Sequence, residues 1–245
     1  MKRQRPLFLF LLLFPTLFFA QTKSIYQIGL STGFTNAAIK SDAYSPLILS
    51  GNSAPFSLHF QKIKDQTRHV VEVGFLSIQP KEKFNTSIAE TGGHLSYEWL
   101  KSYNSLFNST KFRFYYGFSA LFWGAQRQVF VPNLPNNNNS FDGNLTLNAA
   151  LMSEYYDGQN RLTMQVNYAL LGYQYGSLYD YAFVGQRFLS PQNVFQMSSF
   201  LRYAAPISAH FNIRMGYLFY LYRSATPQYL GVLRHQIEMG LQYQF

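Results

Sequence analysis

The chain has no cysteine among its 245 residues. That removes disulfides, thiolate nucleophiles and cysteine-based metal sites together. Charge is scarce as well: Asp, Glu, Lys and Arg make up 13% of the sequence, against about a quarter in soluble domains. Beyond residue 20 no apolar run approaches the roughly 20 residues a membrane helix needs. Of the net charge of +9, three positive charges sit at Lys2, Arg3 and Arg5. The remaining excess is modest and forms no Lys/Arg cluster, so nucleic acid is not an expected partner. Aromatic residues are abundant instead, at 18% of the chain, with 19 Tyr and 24 Phe.

The N-terminus reads as an export signal. Lys2, Arg3 and Arg5 precede an apolar run from Leu7 to Phe19, broken by Pro15 and Thr16, and Ala20-Gln21 offers a cleavage junction. The run is short for a spanning helix and is followed by polar sequence, so residues 1–20 are expected to be a removed signal peptide. Residues 21–245 then form one domain. No cysteine follows the run to carry a lipid anchor.

Through the rest of the chain apolar residues recur at every second place, the side-chain period of a strand. Ten such segments lie near residues 25–35, 55–63, 69–78, 93–103, 111–124, 143–155, 161–175, 194–205, 210–223 and 230–245. Short connections (64–68, 104–110, 156–160, 206–209) alternate with longer ones (36–54, 79–92, 125–142, 176–193, 224–229). The last segment carries Met239, Leu241, Tyr243 and Phe245 on one face and stops on that aromatic residue.

This ending resembles the C-terminal strand signal of Gram-negative outer-membrane β-barrel proteins. Glu238, Gly240, Tyr243 and Phe245 stand at its polar, glycine, apolar and terminal aromatic positions. The resemblance implies an all-β fold: a closed, antiparallel, up-and-down transmembrane barrel, here of ten strands, with eight or twelve as alternatives. It implies outer-membrane lipids as surroundings and the barrel-assembly machinery as the inserting partner. An even strand count puts both termini in the periplasm, with the longer loops outside. A lipocalin-like soluble barrel would need eight shorter strands and an inward apolar row.

In such a barrel the apolar row meets lipid and the polar row faces the lumen. Phe112, Tyr155, Tyr156, Tyr203, Phe211, Tyr243 and Phe245 fall near the expected periplasmic ends. Phe122, Trp123, Tyr173, Tyr175, Tyr222 and Tyr229 fall near the outer ends, as interfacial aromatics do. The inward row collects Glu72, Glu98, Glu154 and Glu238 with Arg113, Arg161, Arg202, Arg214 and Arg234. Charges in so narrow a lumen must pair or stay hydrated. A salt-bridge plug is therefore expected, with a narrow channel for small polar solutes or ions as the alternative.

Four inward residues, His59, Glu72, His94 and Glu98, are weak candidates for a metal or proton site. His94 is expected near the outer rim and Glu72 nearer the periplasm, leaving His59 and Glu98 as the level pair. No cofactor motif is present. The ten-stranded omptin proteases use Asp and His groups at the barrel mouth. Here Asp42, Asp142 and Asp180 fall in expected loops without the matching motif. Ser96, two residues after His94, is a weak basis for a lipid-modifying enzyme.

In the 176–193 connection, Tyr179, Tyr181, Phe183, Arg187 and Phe188 are candidate contact residues, of the types favoured at binding hot spots. Lys62, Lys64, Arg68, Lys101 and Lys111 lie near the periplasmic rim, suited to lipid headgroups or to an outer-membrane or periplasmic protein partner. The sequence thus favours a structural or interaction role over a channel, and a channel over a lipid-modifying enzyme or protease.

Overall fold

A strand in lipid has no water for its backbone groups, so both of its edges must be paired. The computed structural model meets this demand by closing the sheet on itself. It describes residues 24–41, 45–64, 66–81, 87–103, 111–130, 138–178, 183–224 and 230–245. The expected signal peptide and the candidate contacts Tyr179 and Tyr181 lie outside the described residues, as does Tyr229.

The strands are β1 (Ser24–Ser41), β2 (Ser45–Ser53), β3 (Phe56–Lys64), β4 (Thr67–Lys81), β5 (Ser87–Ser102) and β6 (Phe112–Phe130). They continue as β7 (Asn138–Asp157), β8 (Asn160–Leu178), β9 (Phe183–Leu189), β10 (Val194–Pro206), β11 (Phe211–Ser224) and β12 (Leu230–Gln244). Each pairs antiparallel with its neighbours, and β12 returns to β1.

These twelve strands make ten staves. β2 and β3 both pair with β1 and are parted only at Ala54-Pro55. A proline has no N–H to give the ladder, so the strand breaks there. β9 and β10 likewise both pair with β8. They are parted by a turn at 190–193, where the Ser190 carbonyl accepts from Val194 N at 3.0 Å and Asn193 Oδ1 accepts from Ser190 N at 2.8 Å.

The stagger of the barrel is read by stepping across the ladders. The path runs Tyr26, Lys62, His69, Trp99, Phe118, Ala149, Tyr168, Met197, Leu221, Leu233 and back to β1. It returns on Ala38 instead of Tyr26, twelve residues further along. With ten staves, that shear tilts the strands by about 40° and gives a backbone radius of about 10 Å. Side chains can fill an interior of that width.

Ser24 and Phe245 share one end of the barrel. Phe245 N donates to Tyr26 O at 3.0 Å, Tyr26 N donates back at 3.1 Å, and the two rings stack with centroids 5.8 Å apart. Around this terminal end Phe112 packs on Tyr155 (4.8 Å) and Phe211 on Tyr243 (5.0 Å). At the same end Gly158 takes φ 61° in the two-residue connection between Asp157 and Asn160.

At the opposite end the expected long connections are mostly strand. β1 and β2 run to Ser41 and from Ser45, β6 and β7 to Phe130 and from Asn138, β8 and β9 to Leu178 and from Phe183. The apolar alternation fades there while the pleat continues, which is why these stretches read as loops. Phe183 and Arg187 are therefore β9 residues and not loop residues, and Phe188 is exposed.

The two faces are inverted relative to a soluble protein. Leu30, Phe34, Val73, Leu95, Leu151 and Ile237 are exposed on the outer wall, while Gln27, Thr35, His59, Glu154 and Gln242 are buried inside. Towards the opposite end, however, one side of the lumen becomes apolar, with Ala37, Ile39, Leu76, Ile78, Tyr222 and Val232 in one buried cluster. Trp123 and Tyr222 consequently point inward and are not interfacial. Tyr156 also turns in, its hydroxyl donating to Glu154 at 2.8 Å.

Candidate functional site

The barrel's polar residues gather inside in two networks. The lower one, near the terminal end, begins where Arg68 of β4 crosses the lumen to Glu154 of β7 at 2.5 Å. Glu154 also accepts from Tyr115 at 3.0 Å and lies 3.7 Å from Arg161. Above it Arg202 of β10 donates to Glu238 at 2.6 Å and reaches across to Glu72 at 3.3 Å. Arg214 lies 3.7 Å from Glu238 and 3.0 Å from His59 Nε2. Glu98 accepts from Gln165 on the far wall at 2.8 Å.

Glycines make room for these side chains. Arg202 and Glu238 both pair in register with Gly216, one from each side, so their ion pair passes over a residue that has no side chain. A Cβ on Gly216 would lie 2.9 Å from Arg202 Cγ and from Glu238 Oε1. His59 lies across Gly29 and His94 across Gly74, each pair in ladder register.

The upper network joins Arg127, Glu90, Asp142 and Arg234. Arg127 Nε donates to Glu90 at 2.6 Å, and its Nη1 donates to Asp142. Arg234, from the other side of the lumen, donates to the second Glu90 oxygen. Both guanidiniums lie against Trp123, at 5.3 and 5.2 Å from its ring centre. Glu90 and Arg127 are almost wholly shielded, at 0% and 1% exposure.

Counted formally, and histidines aside, charge balances within each network, with Glu98 held by the Gln165 amide instead of by an arginine. The lower one holds Arg68, Arg161, Arg202 and Arg214 against Glu72, Glu98, Glu154 and Glu238. The upper one holds two arginines against Glu90 and Asp142. Between them lies a cavity of about 130 Å³ bordered by His94, Ser96, Ser119, Asn148, Ser198 and Gln236. Within the lower network His59 Nδ1, Gln61 Nε2, Arg68 Nε, Gln165 Oε1 and Arg214 Nε all belong to residues bordering a single cavity of about 20 Å³. That volume and polar lining suit one bridging water.

Eight of the nine expected lumenal charges lie in these networks. The exception is Arg113, which is exposed at the terminal end with its guanidinium 5.1 Å from the Tyr156 ring. Among the four metal candidates the expected levels are reversed. His94 Nε2 lies 3.2 Å from Glu72, while His59 meets Arg214 instead of Glu98. The β4–β5 ladder runs on to Ile78 and Glu90, so its register sets His94, opposite Gly74, diagonally beside Glu72. Among the described residues no three or more His, Asp or Glu side chains converge as metal ligands do.

Arg68, Glu90, Arg127 and Asp142 are the network members that sequence reasoning missed. Arg68 was assigned to the rim, and Asp142 to a loop. Their parity was nevertheless available: Arg68 is even-spaced from Glu72, Glu90 from Glu98, Arg127 from Arg113 and Asp142 from Glu154.

No protein-family model and no curated protein matches the sequence. Solved structures do resemble the fold. The outer membrane protease OmpT from Escherichia coli is 8% identical, with 91% of this chain and 96% of that chain covered and a TM-score of 0.55. The translocator domain of the autotransporter NalP from Neisseria meningitidis is 7% identical, with 96% and 92% covered and a TM-score of 0.50. At these identities the likeness concerns architecture alone. Ten antiparallel staves closed on themselves, an outward apolar wall and an inward polar core give this chain the fold of the outer-membrane β-barrels.

Proposed function

We propose that this chain is an integral outer-membrane barrel of a Gram-negative bacterium, with both termini in the periplasm, and that its work is done outside a sealed lumen. On this reading it is exported on its N-terminal signal and inserted by the barrel-assembly machinery through the strand ending in Phe245. The ladders at the opposite end then carry the extracellular surface, where β8, β9 and their connection present contacts to a ligand or partner complex. The observation that carries the proposal is the pair of charge-balanced networks spanning the lumen. A conducting pore would need a continuous hydrated path, and ion pairs reaching from wall to wall of so narrow a lumen leave little room for one.

Ion conductance across a planar bilayer tests this. The folded protein is expected to give a silent bilayer. Reproducible current steps that change when Glu98 or Arg214 is neutralised would replace the sealed support with a narrow channel lined by these residues.

A further inference from the structure

The outer wall of the barrel is filled by large side chains along most of its rows. Leu201, Tyr217 and Ile237 stand abreast on β10, β11 and β12, with Tyr203, Met215 and Met239 in the next row towards the terminal end. On β6, β7 and β8 the corresponding rows are Tyr116, Leu151 and Val166, then Phe114, Ser153 and Met164. Ser153 is thus a small polar residue flanked on both sides by bulky apolar ones, and it opens a hollow.

That hollow is a groove of about 540 Å³ whose lipid-facing walls are Tyr103, Phe114, Tyr116, Leu151, Met164 and Val166. Tyr103 and Tyr116 meet edge to face, with centroids 6.4 Å apart, and close one side. Two features fix its depth. It lies in the rows nearest the terminal end, just above the Phe112–Tyr155 pair, and aromatic rings favour the level of the lipid headgroups. On the same wall Lys101 pairs in register with Tyr116, and exposed Lys111 immediately precedes β6. An apolar slot with a serine hydroxyl at its floor, tyrosine edges and cations at its mouth matches a molecule with an acyl chain, an ester and an anionic head.

The geometry points to a specific binding site for one anionic phospholipid of the periplasmic leaflet. The acyl chain lies over Ser153 between Phe114 and Met164, and the phosphate faces Lys101 and Lys111. This assignment rests on the outer-membrane reading above, which sets which leaflet the groove faces. In a closed ten-stave wall, an ordered lipid here would complete the outer surface that the side chains leave unfilled.

Native mass spectrometry of the full protein, reconstituted with equal amounts of phosphatidylglycerol and phosphatidylcholine and then transferred to mild detergent, tests the site. The parent should retain one phosphatidylglycerol in preference to phosphatidylcholine. Lys101→Gln should reduce that preference by about fivefold, the worth of one lysine at an anionic surface. Ser153→Leu should block the floor of the groove where the acyl chain lies and sharply reduce retention of either lipid.

Retention unchanged in Ser153→Leu, equal retention of the two headgroups, or no retained lipid in the parent would overturn the site. The heat-dependent shift in gel mobility is recorded for every sample. A parent that never shows the folded band refutes the membrane-barrel reading, whereas a folded parent without bound lipid refutes only the groove.

Discussion

Glu90 is the residue on which the upper network turns. Its two oxygens receive Arg127 and Arg234 from different walls of the barrel, and Arg127 is shared with Asp142. Glu90→Gln keeps the side-chain volume but removes one of two negative charges and turns an amide N–H₂ towards a guanidinium. The remaining amide oxygen can accept from one arginine; with it on Arg127, which also keeps Asp142, Arg234, buried at 6% exposure, is left among the described residues with the Trp123 and Tyr220 rings. Stripping one partner from a buried pair costs about 3–5 kcal/mol, mostly from the charge left behind.

A second change, Arg234→Gln, restores balance, with Arg127 and Asp142 as one pair. The double variant should therefore be more stable than the two single losses added together, by a coupling of about 0.5–3 kcal/mol. Urea unfolding in lipid vesicles, followed by the combined fluorescence of Trp99 and buried Trp123, measures all four corners of the cycle. A loss below about 0.5 kcal/mol for Glu90→Gln, or additive losses, would refute the claim that this network is a coupled structural plug.

Two further outcomes are expected. Gly29→Ala drives a Cβ into the His59 ring at Cε1, so the ring must swing away from Arg214. A destabilisation of about 1–3 kcal/mol, the usual range for overpacking, should appear in the same unfolding assay. An unchanged midpoint would mean the ring is not held there. Deletion of Phe245 removes the reciprocal hydrogen bonds to Tyr26 and their stacked rings. Membrane insertion should fall while export is retained, as read by fractionation and heat-dependent gel mobility, and undiminished insertion would deny Phe245 an assembly role.

Most of the barrel was legible because a pleated strand forces neighbouring side chains to opposite faces. The rows of β11, and of β8 as far as Leu170, could be assigned without any knowledge of their partners; there a bulge leaves Leu170 and Leu171 both outward and switches the parity for the rest of β8. Legibility failed where apolarity stopped marking the face. Asp142 and Phe183 fall in stretches without regular alternation that read as loops, yet both lie in strands. Trp123 was placed at an interface by its chemistry, whereas its position two residues from Leu121 and Ala125 on the inward row puts it against Arg127 and Arg234. Parity was the more reliable guide, since it is set by backbone geometry and holds beyond the membrane.

The sequence by itself determined which residues face inward wherever a strand keeps its period of two, as every strand but the bulged β8 does around the two networks. It also determined closure, since no strand edge can remain open in lipid. Which inward charges meet was decided by the tertiary structure. A stagger of twelve residues over ten staves tilts every strand and slides its side chains past those of distant strands. Arg68 therefore finds Glu154, Arg234 finds Glu90 and Arg202 bridges Glu238 to Glu72. The stagger is a property of the whole closed sheet, fixed only when the last strand pairs with the first, and no local pattern in the chain encodes it.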